Sequence, residues 1–96
     1  MGMAGNFVRF FAQAAGRVQG VGFRFFVQQN AQELGVTGWV RNMTDGTVTM
    51  ELQSDRATVD KLLQIIQAGN TFVNVKSLQT EERVVVPEEK GFEIRH

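Results

Sequence analysis

Residues 16–24 read Gly-Arg-Val-Gln-Gly-Val-Gly-Phe-Arg, and this stretch constrains the rest of the chain most. Three of its nine residues are glycine. Before it, Asn6 to Ala15 alternates with a period of two: Val8, Phe10, Ala12 and Ala14 fall on one face, and Phe7, Arg9, Phe11 and Gln13 on the other. After it, Phe23, Phe26, Val27, Asn30, Ala31 and Leu34 recur at the spacing of one helical stripe. A strand therefore passes into a helix through a glycine-rich turn. Such a turn orients several N–H groups alike, and the helix dipole adds to them, so a tetrahedral oxyanion such as phosphate is a natural ligand. Arg24, in the first helical turn, can close over that anion with a bidentate guanidinium. From the loop alone, an anion cradle and a merely tight strand-to-helix turn are both open. The loop is not a Walker sequence, because no Gly-Lys-Ser/Thr follows. Nor is it a dinucleotide fingerprint, whose third glycine is replaced by Phe25.

The remaining pattern surrounds that turn with a small sheet. Gly35 ends the helix at the position that favours the left-handed conformation. Val36 to Met43 and Thr47 to Gln53 read as a hairpin, with Val48, Met50 and Leu52 inward. A three-residue Thr44-Asp45-Gly46 loop is favoured over a two-residue one, because it keeps Arg41 out of the core. That register sets Asn42 opposite Val48 on the helix-bearing face, the side of the glycine loop. Ser54 or Asp55 caps a second helix, roughly 55–68, with a stripe of Val59, Leu62, Leu63 and Ile66, and Gly69-Asn70 ends it. Phe72 to Leu78 reads as a strand continuing irregularly toward Val86. Pro87 to Gly91 is a turn, and Phe92 to Arg95 a short last strand. Phe25 lies on the polar side of its helix and is expected to pack under a neighbouring loop. The Glu81-Glu82 and Glu88-Glu89 pairs are expected to be solvated.

The order is β-α-β-β-α-β plus a short extra C-terminal strand. This is the split β-α-β, ferredoxin-like α+β pattern: an antiparallel sheet with two helices on one face. Its 96 residues suit a single domain over 6–96, which can bury roughly 60–65% of its unfolded surface. Residues 1–5 are expected to be a loose end. They lack a charged n-region and a long apolar h-region, and no apolar run could span a bilayer, so a soluble cytoplasmic protein without membrane contact is expected. Ten basic and ten acidic residues balance, which argues against a nucleic-acid partner. Nothing calls for an obligate protein partner, so a monomer is expected.

If the loop holds a phosphoryl group, the residue inventory narrows the chemistry. There is no cysteine for a thiol phosphate, and the sole histidine is His96 at the chain terminus. No Asp-x-Asp motif and no spaced set of metal ligands occurs, so neither a metal nor another cofactor is expected. What remains is direct attack by water, with catalysis by positioning and electrostatics. That suits a carboxylate leaving group, which needs no proton at neutral pH. Phosphate monoesters should be poor substrates.

The strings Gly16-Arg-Val-Gln-Gly-Val-Gly-Phe-Arg24 and Gly35-Val-Thr-Gly-Trp-Val-Arg-Asn42, with Asp45-Gly46 and Gly91-Phe-Glu-Ile-Arg95, resemble the acylphosphatase family. The resemblance implies hydrolysis of the carboxyl–phosphate bond of small acyl phosphates, without metal or cofactor, and inorganic phosphate as product and inhibitor. By that resemblance Arg24 binds the phosphate together with backbone N–H groups of Arg17, Val18, Gln19, Gly20, Val21 and Gly22. Asn42 orients the attacking water, and the substrate's own phosphate accepts the proton. Gln19 is expected to shape the loop and Trp39 to serve packing. The competing expectation is a non-catalytic anion-binding or interaction module on the same fold. A carbamoyl-phosphate-processing domain and a ferredoxin-like RNA binder fit less well, the first for want of further domains and the second for want of basic charge and aromatic strand residues.

Overall fold

The computed structural model describes residues 7–96. The expectation of a loose end over 1–5 lies outside those residues. The elements are β1 (Phe7–Arg17), α1 (Phe23–Leu34), β2 (Thr37–Asn42), β3 (Val48–Asp55), α2 (Arg56–Ala68), β4 (Asn74–Arg83) and β5 (Phe92–Arg95). They form one sheet in the order β4-β1-β3-β2-β5. The first four strands are antiparallel to their neighbours, as the sequence pattern predicts, and β5 adds in parallel beside β2, so the complete sheet is mixed.

The period-2 pattern of β1 separates the faces as expected. Ala12 and Ala14 are fully buried beneath the helices, in one core with Phe23, Val27 and Ala31 of α1 and Val59, Leu62 and Ile66 of α2. Small residues on a central strand let the helices approach the sheet, while Val40, Met50 and Leu52 fill the neighbouring space. Gly35 closes α1 in the left-handed region, and Val36 N–H donates to the Ala31 carbonyl at 2.8 Å. Of the two candidate caps for α2, Asp55 takes the role, accepting at 2.9 Å from Thr58 N–H. The Thr58 backbone and hydroxyl bonds hold the Asp55 carboxyl below its ordinary value.

The three-residue hairpin loop is present. Met43 N–H donates to the Thr47 carbonyl at 2.9 Å, Gly46 has φ +92°, and Asn42 and Val40 face Val48 and Met50. Asp45 Oδ1 accepts from Thr47 N–H at 3.0 Å, which ties the turn to its own strand.

Two expectations change. The fourth strand starts at Asn74 rather than Phe72, because Asn70 Oδ1 accepts from both Phe72 N–H and Val73 N–H and folds 70–73 into an Asx turn. Phe72 is left two-thirds exposed. Glu89 is not a solvated surface residue. On the sheet face opposite the helices, the Arg9 guanidinium is 2% exposed and donates to both carboxylate oxygens of Glu89, at 2.7 and 3.2 Å, and to Gln53 Oε1 at 3.0 Å. Its Nε pairs with Glu51, and Thr37 Oγ1 donates to Glu89 at 2.8 Å. Gln53 also accepts from Val86 N–H and donates to the Val86 carbonyl. The β4–β5 connection is thereby fastened across the open face. Burial works against the Arg9 charge, but the hydrogen bonds and attraction of Glu89 and Glu51 outweigh it and hold the guanidinium above its ordinary pKa.

Candidate active site

A cleft of about 200 Å³ forms where the loop after β1, the start of α1 and the ends of β2 and β5 converge. The loop after β1 contributes Val18, Gly20 and Gly22, and α1 contributes Phe23, Arg24 and Phe25, with Gly22 as its cap. Asn42 and Ile94 complete it. The cleft thus unites Arg24 and Asn42, which are 18 positions apart, with three of the six loop residues expected from the sequence.

The loop geometry follows from its glycines. Gly20 and Gly22 sit at φ +74° and +76°, where a side chain is strained by backbone conformation although there is open space around each. Gly22 caps α1 without any side-chain hydrogen bond, and Phe26 N–H starts the helical ladder on the Gly22 carbonyl at 2.9 Å. The N–H groups of the first turn have no acceptor within the helix, so they add donor capacity and positive dipole at the cleft.

Arg24 is half-buried. Its Nη1 donates to the Arg95 carbonyl at 3.3 Å and lies 3.4 Å from His96 Nδ1, so the end of β5 holds the guanidinium at the cleft. Asn42 is also half-buried, and its Oδ1 is buried without accepting any hydrogen bond from the described residues. Its place on the helix-bearing face is set by the register with Val48. Gln19 does not line the cleft. Its Nε2 donates to the carbonyls of Met43 and Thr47, at 2.7 and 2.8 Å, and so ties the glycine loop to the hairpin that carries Asn42. The expectation that Gln19 shapes the loop acquires a geometry that the sequence does not reveal: the tie crosses 24 and 28 positions.

Arg17 and Val21, expected to offer backbone N–H groups, are not among the residues that line the cleft. Arg17 still belongs to β1, paired with Asn74, and lines a separate cleft of about 880 Å³ with Lys76 and Phe72. Val21 packs against the core. Trp39 stands on the open sheet face with the Arg95 guanidinium 5.0 Å from its ring centre, outside the cleft, as a packing role requires. Phe25 does not pack under a loop: it is 57% exposed and borders the cleft. Among the described residues no three His, Cys, Asp or Glu side chains converge, and none of these types lines the cleft. No helix of the described residues is long and apolar enough to cross a membrane.

The acylphosphatase family model matches residues 10–94. An acylphosphatase of Geobacillus thermodenitrificans is 49% identical over 81 residues, covering 84% of this chain and 86% of that one. The solved acylphosphatase of Coxiella burnetii superposes with a TM-score of 0.88 at 31% identity, covering 97% of each chain. That of Bacillus subtilis superposes with a TM-score of 0.87 at 29% identity, covering 93% of this chain and 99% of its own. With a family model matching residues 10–94 and solved acylphosphatases of the same fold covering nearly the whole chain, this chain belongs to the acylphosphatase family.

Proposed function

We propose that the protein hydrolyses the carboxyl–phosphate bond of small acyl phosphates by direct, metal-free attack of water at phosphorus. The observation that carries this reading is Asn42: it lines the same cleft as Arg24, and its Oδ1 is buried and accepts no hydrogen bond from the described residues. A buried polar atom without a partner is costly, and functional sites are where that cost is tolerated. A water donating to Oδ1 satisfies it, and that hydrogen bond orients the oxygen lone pair toward a phosphoryl group held beside it.

The phosphoryl oxygens are met by the guanidinium of Arg24 and the backbone N–H groups of the glycine loop, with the first turn of α1 adding its dipole. The water oxygen forms a bond to phosphorus as the bond from phosphorus to the acyl oxygen breaks. The electron pair leaves with the carboxylate, which needs no proton at neutral pH. The water proton passes to a phosphoryl oxygen of the substrate: no carboxylate lines the cleft, and the nearby His96 imidazole has its Nδ1 turned to Arg24 Nη1 at 3.4 Å. Inorganic phosphate and a carboxylate are the products, and phosphate competes for the same cradle. Catalysis then consists of orientation and of charge stabilisation by donors already in place. The protein acts alone, as a monomer in an aqueous compartment.

The test is hydrolysis of benzoyl phosphate in excess EDTA, by wild type and Arg24→Ala. Turnover that survives the chelator and falls by at least 10²–10³-fold in the variant, roughly the scale for one lost transition-state donor, is expected. Turnover abolished by EDTA overturns the metal-free mechanism, and near-wild-type turnover by Arg24→Ala removes that residue from the site. No turnover by folded wild type would leave a phosphate-binding module.

A further inference from the structure

The cleft has more apolar wall than a phosphoryl group can use. Its polar side consists of Arg24, Asn42 and the backbone of the glycine loop, and this is where the reading above puts phosphate. The other side chains of the lining are hydrocarbon: Val18 and Phe23 are buried in the core, which leaves Phe25 and Ile94 to present apolar surface to a ligand. Neither offers a donor to an anion. Ile94 reaches the cleft because β5 lies in register with β2, Ile94 beside Val40, so its side chain shares the face of α1. Phe25 gets there differently. Phe23 and Phe26 point into the core, whereas Phe25 follows on the polar side of α1 and stands more than half exposed at the cleft's edge. Core packing does not explain it. Small-molecule pockets combine a few placed polar groups with apolar and aromatic walls that take the uncharged part of the ligand.

We propose that Phe25 and Ile94 form an acyl subsite, and that the preferred substrates are acyl phosphates whose acyl group is aromatic or branched and apolar. The proposal rests on the function reading above and names the substrate class of the same site. A cleft of about 200 Å³ is below the roughly 300–1,000 Å³ of sites for drug-sized ligands. It accommodates a phosphoryl group and one small ring or branched chain, with the ring partly laid against Phe25. A methyl group, as in acetyl phosphate, covers little of that wall, so discrimination comes from apolar area removed from water. Phe25 follows Arg24 directly in the first turn of α1, so the grip on the acyl group is built into the same turn as the grip on phosphate.

The test compares wild type, Phe25→Ala and Phe25→Leu on benzoyl phosphate and acetyl phosphate. Wild type should prefer benzoyl phosphate in kcat/KM, and Phe25→Ala should lower the benzoyl-to-acetyl ratio about tenfold, the scale for losing apolar contact in a pocket. Phe25→Leu should recover most of the ratio, and inhibition by inorganic phosphate, which does not reach this wall, should move less than about twofold. Equal losses on both substrates would overturn the subsite, since a distorted helix start harms both alike. A second measurement is independent of turnover: NMR titration with benzoylphosphonate and acetylphosphonate, whose carbon–phosphorus bond is not hydrolysed. Tighter binding of benzoylphosphonate that is lost in Phe25→Ala supports the subsite even if wild type hydrolyses nothing, a result that would defeat the function reading alone. No preference between the two phosphonates in wild type would defeat the subsite whatever the turnover.

Discussion

At the scale of single residues, the proposed mechanism gives Arg24 and Asn42 separable tasks, and that separation can be measured. Arg24 carries charge, so on that mechanism it contributes to ground-state binding of any phosphate as well as to the transition state. Asn42 offers a neutral amide on a residue that lines the cleft, and on the proposed mechanism it contributes only where water is positioned. Asn42→Ala is therefore expected to lower kcat by about 10²–10³-fold, the scale for one lost preorganised hydrogen-bonding group. The inhibition constant for inorganic phosphate should stay within about twofold on the same reasoning, because ground-state anion binding does not use this amide. Its melting temperature should not fall appreciably, because the truncated side chain includes an acceptor with no partner among the described residues. A large loss of phosphate inhibition would contradict water positioning. Both residues are legible in the sequence, for different reasons. Arg24 follows a glycine turn into a helix, a local pattern. Asn42 reaches the cleft only if the hairpin loop has three residues, and that choice is decided by keeping Arg41 solvated. Phe25 is legible as an aromatic on the polar side of its helix, but not as a cleft residue, because the wall it completes is supplied by β5.

At the scale of elements, the glycine loop and the β2–β3 hairpin are connected by one side chain. Gln19 donates both amide hydrogens across the gap, to Met43 and Thr47 carbonyls that the hairpin's own turn leaves with accepting capacity. Gln19→Met keeps the length and removes both donors. The expected cost is about 1–2 kcal/mol, since each neutral bond contributes roughly 0.5–1.5 kcal/mol. Chemistry should suffer in a distinctive way. The tie sets the spacing between the N–H groups of the loop and the amide of Asn42, so kcat should drop and phosphate inhibition weaken together. Asn42→Ala, by contrast, should change only kcat. If Gln19→Met loses stability but keeps both kinetic parameters, the tie is structural and not a positioning device. No local signal could have assigned this role: a glutamine in a loop reads as polar surface until its partners, on a different supersecondary unit, are known. The same limit applies to Phe72, where the β-propensity of Phe72 and Val73 is overridden by the Asx turn that Asn70 nucleates.

At the scale of the whole molecule, chemistry and fastening occupy opposite ends of the sheet. The cleft gathers the C-terminal ends of β1, β2 and β5, while Arg9 sits near the start of β1, eight residues from its end at Arg17 and so roughly 26 Å away at about 3.3 Å per residue. The architecture is legible because periodicity fixes each element and right-handed crossovers leave little choice of order. The Arg9 network is not. Glu51, Gln53 and Glu89 lie 42, 44 and 80 positions from Arg9, and each carboxylate alone looks like solvated surface. Only the assembled sheet, with the 84–91 connection folded over it, buries the arginine between them. Arg9→Met removes the cation and leaves two carboxylates facing each other under cover. Breaking a buried pair from one side costs about 3–5 kcal/mol, and the partial exposure of Glu51 and Glu89 puts the expected loss near about 3 kcal/mol. For a domain of this size that is roughly 12–24 °C in melting temperature. Replacing Arg9, Glu51 and Glu89 together with apolar residues of similar volume should cost far less, because no uncompensated charge remains. Turnover of the folded Arg9→Met variant, measured well below its melting temperature, should match wild type, since the fastening acts on the far end and opposite face from the cleft. A variant that melts like wild type would show that the buried guanidinium does not fasten the connection. One that stays folded but loses kcat would mean that strain at this end travels along β1 to the glycine loop, and that stability and chemistry in this fold are not separable.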